Sequence, residues 1–387
     1  MLNPDSLSKA SQAEWEDWQW QQRNAVRTVS ALLEVFPSIP PERVKAIRKH
    51  LESRKFQITP YALTLIGRTS DGRSPDPADP VWRMFTPFWD SEGKEGYSYD
   101  GETENWELAH EMVTPIAQHK YDNRIIVRLS NVCHGYCQFC YEALRTIKKN
   151  SPKNTFNDQH WQQTVDYVRA NSDVEEVILS GGEPLMHADD RLARVLSDLR
   201  KIPRWIAIRI HTRSLTFNPF RITNDLLTLL DQYEVNAVGF HVVHPNEITS
   251  DFRRAAKQIG RVVPIMFANI PLLAGINDSV ETMHELGMKL YSAGVIPQYL
   301  YHFIPNSPGA TEFRTSVQTG VDVIRGVKRR ISNLAVPEFV LPHHTGKHTM
   351  PLLAPDEQAP YRTTDSDGRP VIRYANWTGN VVDYLDV

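Results

Sequence analysis

Cysteine is scarce in this sequence, with three among 387 residues. All fall in one stretch, as Cys133, Cys137 and Cys140, which excludes a disulfide framework of paired, dispersed cysteines. Long apolar runs are missing as well: nothing reaches the ~20 apolar residues of a membrane span. Nor does one sign of charge dominate. With 43 Lys+Arg against 46 Asp+Glu the formal net charge is −3, which argues against holding nucleic acid or a membrane by bulk charge. The opening residues have neither the basic n-region nor the apolar h-region of a secretory signal, so a cytoplasmic protein is expected. Apolar residues, by contrast, make up 41%, enough for a large core.

Residues 1–120 read as mainly helical. Trp15, Trp18, Ala25, Val29 and Leu32 stand at near-helical spacing, and the Pro40-Pro41 pair opens a second helix through Arg54. Arg23 and Arg27 among these aromatics could mark an RNA-binding face, but an aromatic face packed on the rest of the protein is the expected reading. Residues 67–105 read as an irregular connection. From residue 123 short strands alternate with amphipathic helices. The strands are Arg124–Leu129, Glu176–Leu179, Trp205–Ile210, Ala237–Val243, Val262–Ala268 and Gln298–Phe303, and the helices include Asn224–Tyr233 and Ser279–Ala293. Six strand–helix units predict an α/β fold with a parallel sheet, a partial (β/α)6 TIM-like barrel over residues 121–335, with chemistry at the strands' C-terminal ends. Residues 336–387 form a short C-terminal segment ending in two strands around a turn at Trp377–Gly379.

The cysteine loop, Asn131 to Cys140, follows the first predicted strand directly. Thiolates hold iron–sulfur clusters, and three of them leave one iron of a [4Fe–4S] cluster free for a non-protein ligand. A zinc site completed by His134 and a chance grouping of structural thiols are the alternatives. The spacing CxxxCxxC, with Phe139 before the last Cys, resembles the signature of the radical S-adenosylmethionine (SAM) superfamily. A second element agrees: Gly181-Gly182-Glu183-Pro184 after the second strand resembles that family's GGEP motif. Glycines let backbone approach a ligand and a carboxylate pairs with the methionyl ammonium. The SAM site implied comprises Phe139, Gly181, Gly182, Glu183, Arg213 and His241.

The resemblance narrows to the lysine 2,3-aminomutase family, through Ile58-Thr-Pro-Tyr61, Arg221-Ile-Thr223, His244-Pro-Asn-Glu-Ile-Thr249, Gly275-Ile-Asn-Asp278, Tyr299-Leu-Tyr301 and Phe313-Arg-Thr315. It implies a radical SAM barrel that also uses pyridoxal phosphate (PLP). The catalytic PLP lysine it implies is Lys347, which ends the run Pro342-His-His-Thr-Gly346-Lys347. Lys120, Tyr121 and Arg124 would grip the phosphate, and Tyr301 would complete the PLP site. The partners implied are a small amino acid or amine and an external one-electron reductant, with a homo-oligomer left open.

The sequence departs from that family at the substrate. Where the lysine enzymes carry an Arg for the substrate carboxylate, this chain has Glu142, with Arg145 one helical turn on to replace it or to pair with it. Where they carry two Asp for the distal ammonium, it has Ile304 to Asn306 and Val340. The cysteines that link those enzymes through zinc are missing too. A substrate other than lysine is therefore expected, met at its far end by neutral or His groups such as His343 and His344. Amino migration between adjacent carbons is the expected outcome. Radical dehydrogenation, epimerisation or fragmentation is the alternative, and a non-catalytic electron carrier the remote one.

Overall fold

The strand–helix alternation folds into one curled sheet in a computed structural model of the chain. It describes residues 10–86 and 107–386, apart from 152, 154, 305, 306, 308, 344, 345, 354–356, 377 and 378. The sheet has ten strands in chain order. They are β1 (Met112–Thr114), β2 (Ala117–Tyr121), β3 (Arg124–Ser130), β4 (Glu176–Gly181), β5 (Ala207–Thr212), β6 (Ala237–His241), β7 (Ile265–Pro271), β8 (Ile296–Tyr301), β9 (Glu338–His343) and β10 (Gly346–Thr349). Neighbours from β3 to β9 pair in parallel, whereas β1/β2, β2/β3 and β9/β10 pair antiparallel. A crossover helix follows each strand from β3 to β8: 158–170, 189–200, 224–232, 250–259, 280–292 and 317–328. Side chains of Asn157, Thr223, Thr249, Ser279 and Ser316 cap five of these helices, each accepting from a backbone N–H of the first turn. The architecture is the expected partial barrel, with one more parallel strand than the six read from the sequence.

That seventh strand, β9, and the hairpin partner β10 correct the expected division at residue 335. Phe339 and Val340 of β9 are buried in the sheet. Residues 1–120 likewise contribute β1 and β2 to the sheet. The fifth expected strand, Val262–Ala268, lies three residues later as β7, because Val262 and Val263 close the preceding helix by bonding back to Ile259. The C-terminal hairpin is present as β12 (Pro370–Ala375) and β13 (Val381–Leu385), joined by a further strand, β11 (Tyr361–Thr364), in a separate sheet. Trp377 of the expected turn lies outside the described residues.

The N-terminal helix expected from Trp15 to Leu32 is three short ones, because Asp17 and Thr28 act as internal N-caps. The connection at 67–105 contains a helix, Pro80–Phe85, and residues 87–106 lie outside the described part. Phe36, Ile58, Trp82 and Phe85 from this region share a core with Phe217, Val243, Leu273 and Phe303, which follow β5, β6, β7 and β8. The helical region is thus a roof over the C-terminal ends of the strands. Its aromatics pack inward: Trp18 lies under the Arg221 guanidinium, 4.7 Å from ring centre to carbon. Among the described residues no helix is long and apolar enough to cross a membrane.

Candidate active site

Inside the curl of the sheet lies a cavity of about 280 Å³, bounded by Cys137 and Cys140 at one end and by Tyr121, Arg124 and Lys347 at the other. The cysteines follow the C-terminal end of β3, while Arg124 begins that strand, so the cavity extends along the barrel interior. Phe139, Lys120, Arg213, His241 and Tyr301 line it as well.

At the cysteine end the loop is held by the roof. Gln57 Nε2 donates to the carbonyls of Cys133 and His134 at 2.9 and 3.0 Å, and the Gln138 N–H donates to the Met84 carbonyl at 2.8 Å. Burial pushes all three thiols above their ordinary range, and for Cys133 and Cys140 the neighbouring sulfurs add to it. Thiolates side by side therefore need a cation, which iron supplies. His134 turns its Nδ1 to Gln22. Three thiols on one loop are the donor set that a multi-iron cluster takes. Arg213 Nη1 donates to Cys137 Sγ at 2.8 Å and Nη2 to Glu247 at 2.8 Å. The rings of Phe85, Phe139 and Phe217 surround its guanidinium at 5.1, 5.2 and 5.5 Å.

Gly181, Gly182 and Glu183 stand beside the cavity and are not among the residues that line it. Gly181 has φ +118°, and a Cβ there would meet the Ser130 carbonyl at 2.7 Å; at Gly182 it would meet the Val132 carbonyl at 2.4 Å. What approaches these glycines is the cysteine loop's own backbone: the N–H groups of Gly182 and Glu183 donate to Ser130 and Val132. The Glu183 carboxylate is buried and turned inward, accepting from the N–H groups of Leu185 and Arg213 and from the Thr212 hydroxyl. These bonds brace the loop after β5 against the turn that follows β4.

At the other end Lys347, on β10, is exposed into the cavity. Its Nζ stands 4.7, 5.4 and 6.0 Å from the rings of Tyr299, Tyr301 and Tyr121. Loss of water around the ammonium, then the positive charges of Arg124 and Arg209, lower its pKa to about 8. Arg124 lies 4.1 Å over the Tyr121 ring, and Lys120 pairs with Glu111 at 2.8 Å. A reactive lysine beside a hydroxyl and two cations fits PLP, whose phosphate would face Arg124, Lys120 and Tyr121.

The expected substrate residues are elsewhere. Glu142 and Arg145 are buried behind the wall in an ion-pair network: Glu142 pairs with Arg128 at 3.0 Å, and Arg145 and Arg128 both pair with Glu107, at 2.9 and 3.0 Å. Arg128, a cation in an otherwise apolar stretch of β3, is the partner Glu142 meets there. His343 is exposed and does not line the cavity, and His344 lies outside the described residues. The histidines that do line it are His211, His241 and His302. Arg209 and His211, not among the residues expected at the site, also line the cavity; the run Ile208-Arg209-Ile210-His211 alternates apolar and polar, the period that puts both polar residues on one face of a strand.

A cysteine loop and a Gly-Gly-Glu turn at the C-terminal ends of adjacent strands, in an open parallel barrel, define a radical SAM protein, and residues 127–287 match the family model of the Radical SAM superfamily. The L-lysine 2,3-aminomutase of Acetoanaerobium sticklandii is 30% identical over 91% of this chain and 82% of the relative. That of Clostridium subterminale is 30% identical over 97% and 85%. The glutamate 2,3-aminomutase of Clostridioides difficile is 26% identical over 98% and 85%. The chain belongs to the lysine 2,3-aminomutase family. It is a radical SAM enzyme, which takes a [4Fe–4S] cluster and SAM.

Proposed function

We propose that this enzyme moves an amino group between adjacent carbons of an amino acid or amine whose far end carries no positive charge, with PLP held at Lys347. One observation carries the reading: a single cavity joins two of the cluster cysteines to a lysine of lowered pKa, and among its described lining residues there is no Asp or Glu. Cys133, Cys137 and Cys140 would hold the cluster, and Phe139, Arg213 and His241 would face SAM. When bound, the reduced cluster and SAM supply a carbon radical that removes a substrate hydrogen, and PLP supplies the carrier for the migrating nitrogen. The chain's part is to place them and to keep them dry. The helical roof closes the cluster end, Tyr121, Tyr299 and Tyr301 surround Lys347, and a pKa of about 8 leaves part of its amine unprotonated near neutrality.

The substrate class follows from charge. A distal ammonium would lie beside Arg124, Arg209 and Lys347, with the neighbouring Glu176 carboxylate already paired with Arg209, and would stay without a partner at a cost on the order of several kcal/mol. Ile304 lines the cavity and Val340 is buried in β9, and neither supplies a carboxylate. A relative named for glutamate, whose far end is an anion, supports the same class. The test is substrate-dependent release of 5′-deoxyadenosine by anaerobic, cluster-loaded enzyme across amino acids and amines, with product analysis of each active compound. Neutral or acidic compounds are expected to lead. Lysine emerging as the best substrate would refute the reading.

A further inference from the structure

We propose that Arg209 and His211 on β5 form an anion subsite in the middle of the cavity, which takes the carboxylate of the substrate. The inference rests on the functional reading above and adds the group that replaces the lost clamp at Glu142. Both residues line the cavity from the same face of β5, two positions apart. Arg209 spends one Nη on Glu176, at 2.7 Å, while its buried Nε has no partner among the described residues. The His211 Nε2 likewise has none. Buried polar groups are rarely left unsatisfied, and where they gather at a cavity a ligand is one way to satisfy them.

The space for His211 is built in. Its neighbour across the ladder is Gly239, and a Cβ there would come within 2.9 Å of the His211 ring and 2.6 Å of the Phe267 ring. Its place suits a substrate contact. The ring stacks edge-on to His241 at 5.5 Å, a residue expected to face SAM, and is within reach of the charge of Lys347. A substrate bridging the two cofactors passes β5. Burial first, then the charges of His241, Arg209 and Lys347, keep the imidazole neutral, so it offers a hydrogen bond without adding a second full charge beside Arg209. Of the other cations near that stretch, Arg213 is committed to Cys137 and Glu247, Arg128 and Arg145 to Glu107 and Glu142, and Lys120, Arg124 and Lys347 stand at the end that would hold PLP.

The experiment titrates propionate and propionamide, calorimetrically, into the PLP- and cluster-loaded full chain and into Arg209→Gln, His211→Ala and His211→Gln. The wild type is expected to bind propionate and not propionamide. Arg209→Gln and His211→Ala should each weaken propionate about tenfold or more, as loss of a charge-assisted or buried hydrogen bond does, and His211→Gln should recover most of it. A wild type that binds no propionate overturns the proposal, as do variants that all bind it equally well. So does an Arg209→Gln protein that loses its PLP absorbance while His211→Ala binds propionate normally, because Arg209 then serves the cofactor's phosphate. Visible PLP absorbance and reductive SAM cleavage, measured on the same wild-type preparation, test the functional reading separately. Their absence sinks that reading, whereas their presence with unchanged propionate binding sinks the subsite alone.

Discussion

The two ends of the cavity solve opposite electrostatic problems. At the cysteine end three thiols crowd a buried loop, and burial, joined by the neighbouring sulfurs at Cys133 and Cys140, favours their protonated form. At the lysine end cations crowd together, and Arg124 and Arg209 help lower the pKa of Lys347 to about 8. One end is built to receive positive charge and the other to receive negative charge. The wall between them is a chain of buried polar contacts: Lys120 to Glu111, Glu111 to Gln118, Gln118 to Arg128, and Arg128 to Glu142 beside the last cysteine. A site for two unlike cofactors thus separates their charges along a single cavity.

The sharpest way to break this comparison is to remove a cluster thiolate. Replacing Cys133, Cys137 or Cys140 by Ala should abolish both bound iron and reductive SAM cleavage, while PLP absorbance at the far end persists; SAM cleavage surviving in any single variant would contradict the assignment. Next in size is the wall. Arg128→Met leaves Glu142 and Glu107 short of a counter-charge in the interior, and should cost about 3–5 kcal/mol in denaturant unfolding. Arg128→Met with Glu142→Met should recover much of that, since removing both partners leaves fewer unpaired buried charges. A smaller, local effect is expected at the lysine end. Lys347→Ala should lose the visible absorbance and the borohydride-trapped mass shift without loss of iron, and Arg124→Ala should weaken PLP binding by about 1.5–3 kcal/mol.

The smallest expected effect is in pH. The Lys347 ammonium must lose its proton before it can bond to PLP, and its pKa is about 8 against an ordinary 10.5. The rate at which the PLP-free enzyme takes up PLP should therefore climb through pH 8 and level off above it. A rate still climbing steadily through pH 10 would mean that the lysine is not desolvated as described. In Arg124→Ala the midpoint should move upward, because one of the positive charges that lowers the pKa is gone.

Local chemistry determined much of this protein in advance. CxxxCxxC needs only chain connectivity to put three thiols on one loop, and the alternating strand and helix periods from residue 124 were enough for a parallel, partly closed barrel. The positions Lys120, Tyr121, Arg124, Tyr301 and Lys347 were legible because they are spaced as in a known family, and the curl of the sheet brings all of them to one cavity. Tertiary structure alone decided the rest. Whether Glu142 meets a substrate or a buried partner depends on Arg128, fourteen residues earlier in sequence but in contact across the fold at 3.0 Å. Pairing at that range is a matter of packing and not of local propensity. Whether Gly182 touches a ligand or the cysteine loop depends on how closely β4 follows β3 at its end. The largest such decision is the roof: residues 1–120 read as a mainly helical region, and the apolar faces of its part from 26 to 85 find cover on the loops after β3 and after β5 to β8. A chain's local pattern states which faces must be buried, and only the completed barrel offers the surface that buries them.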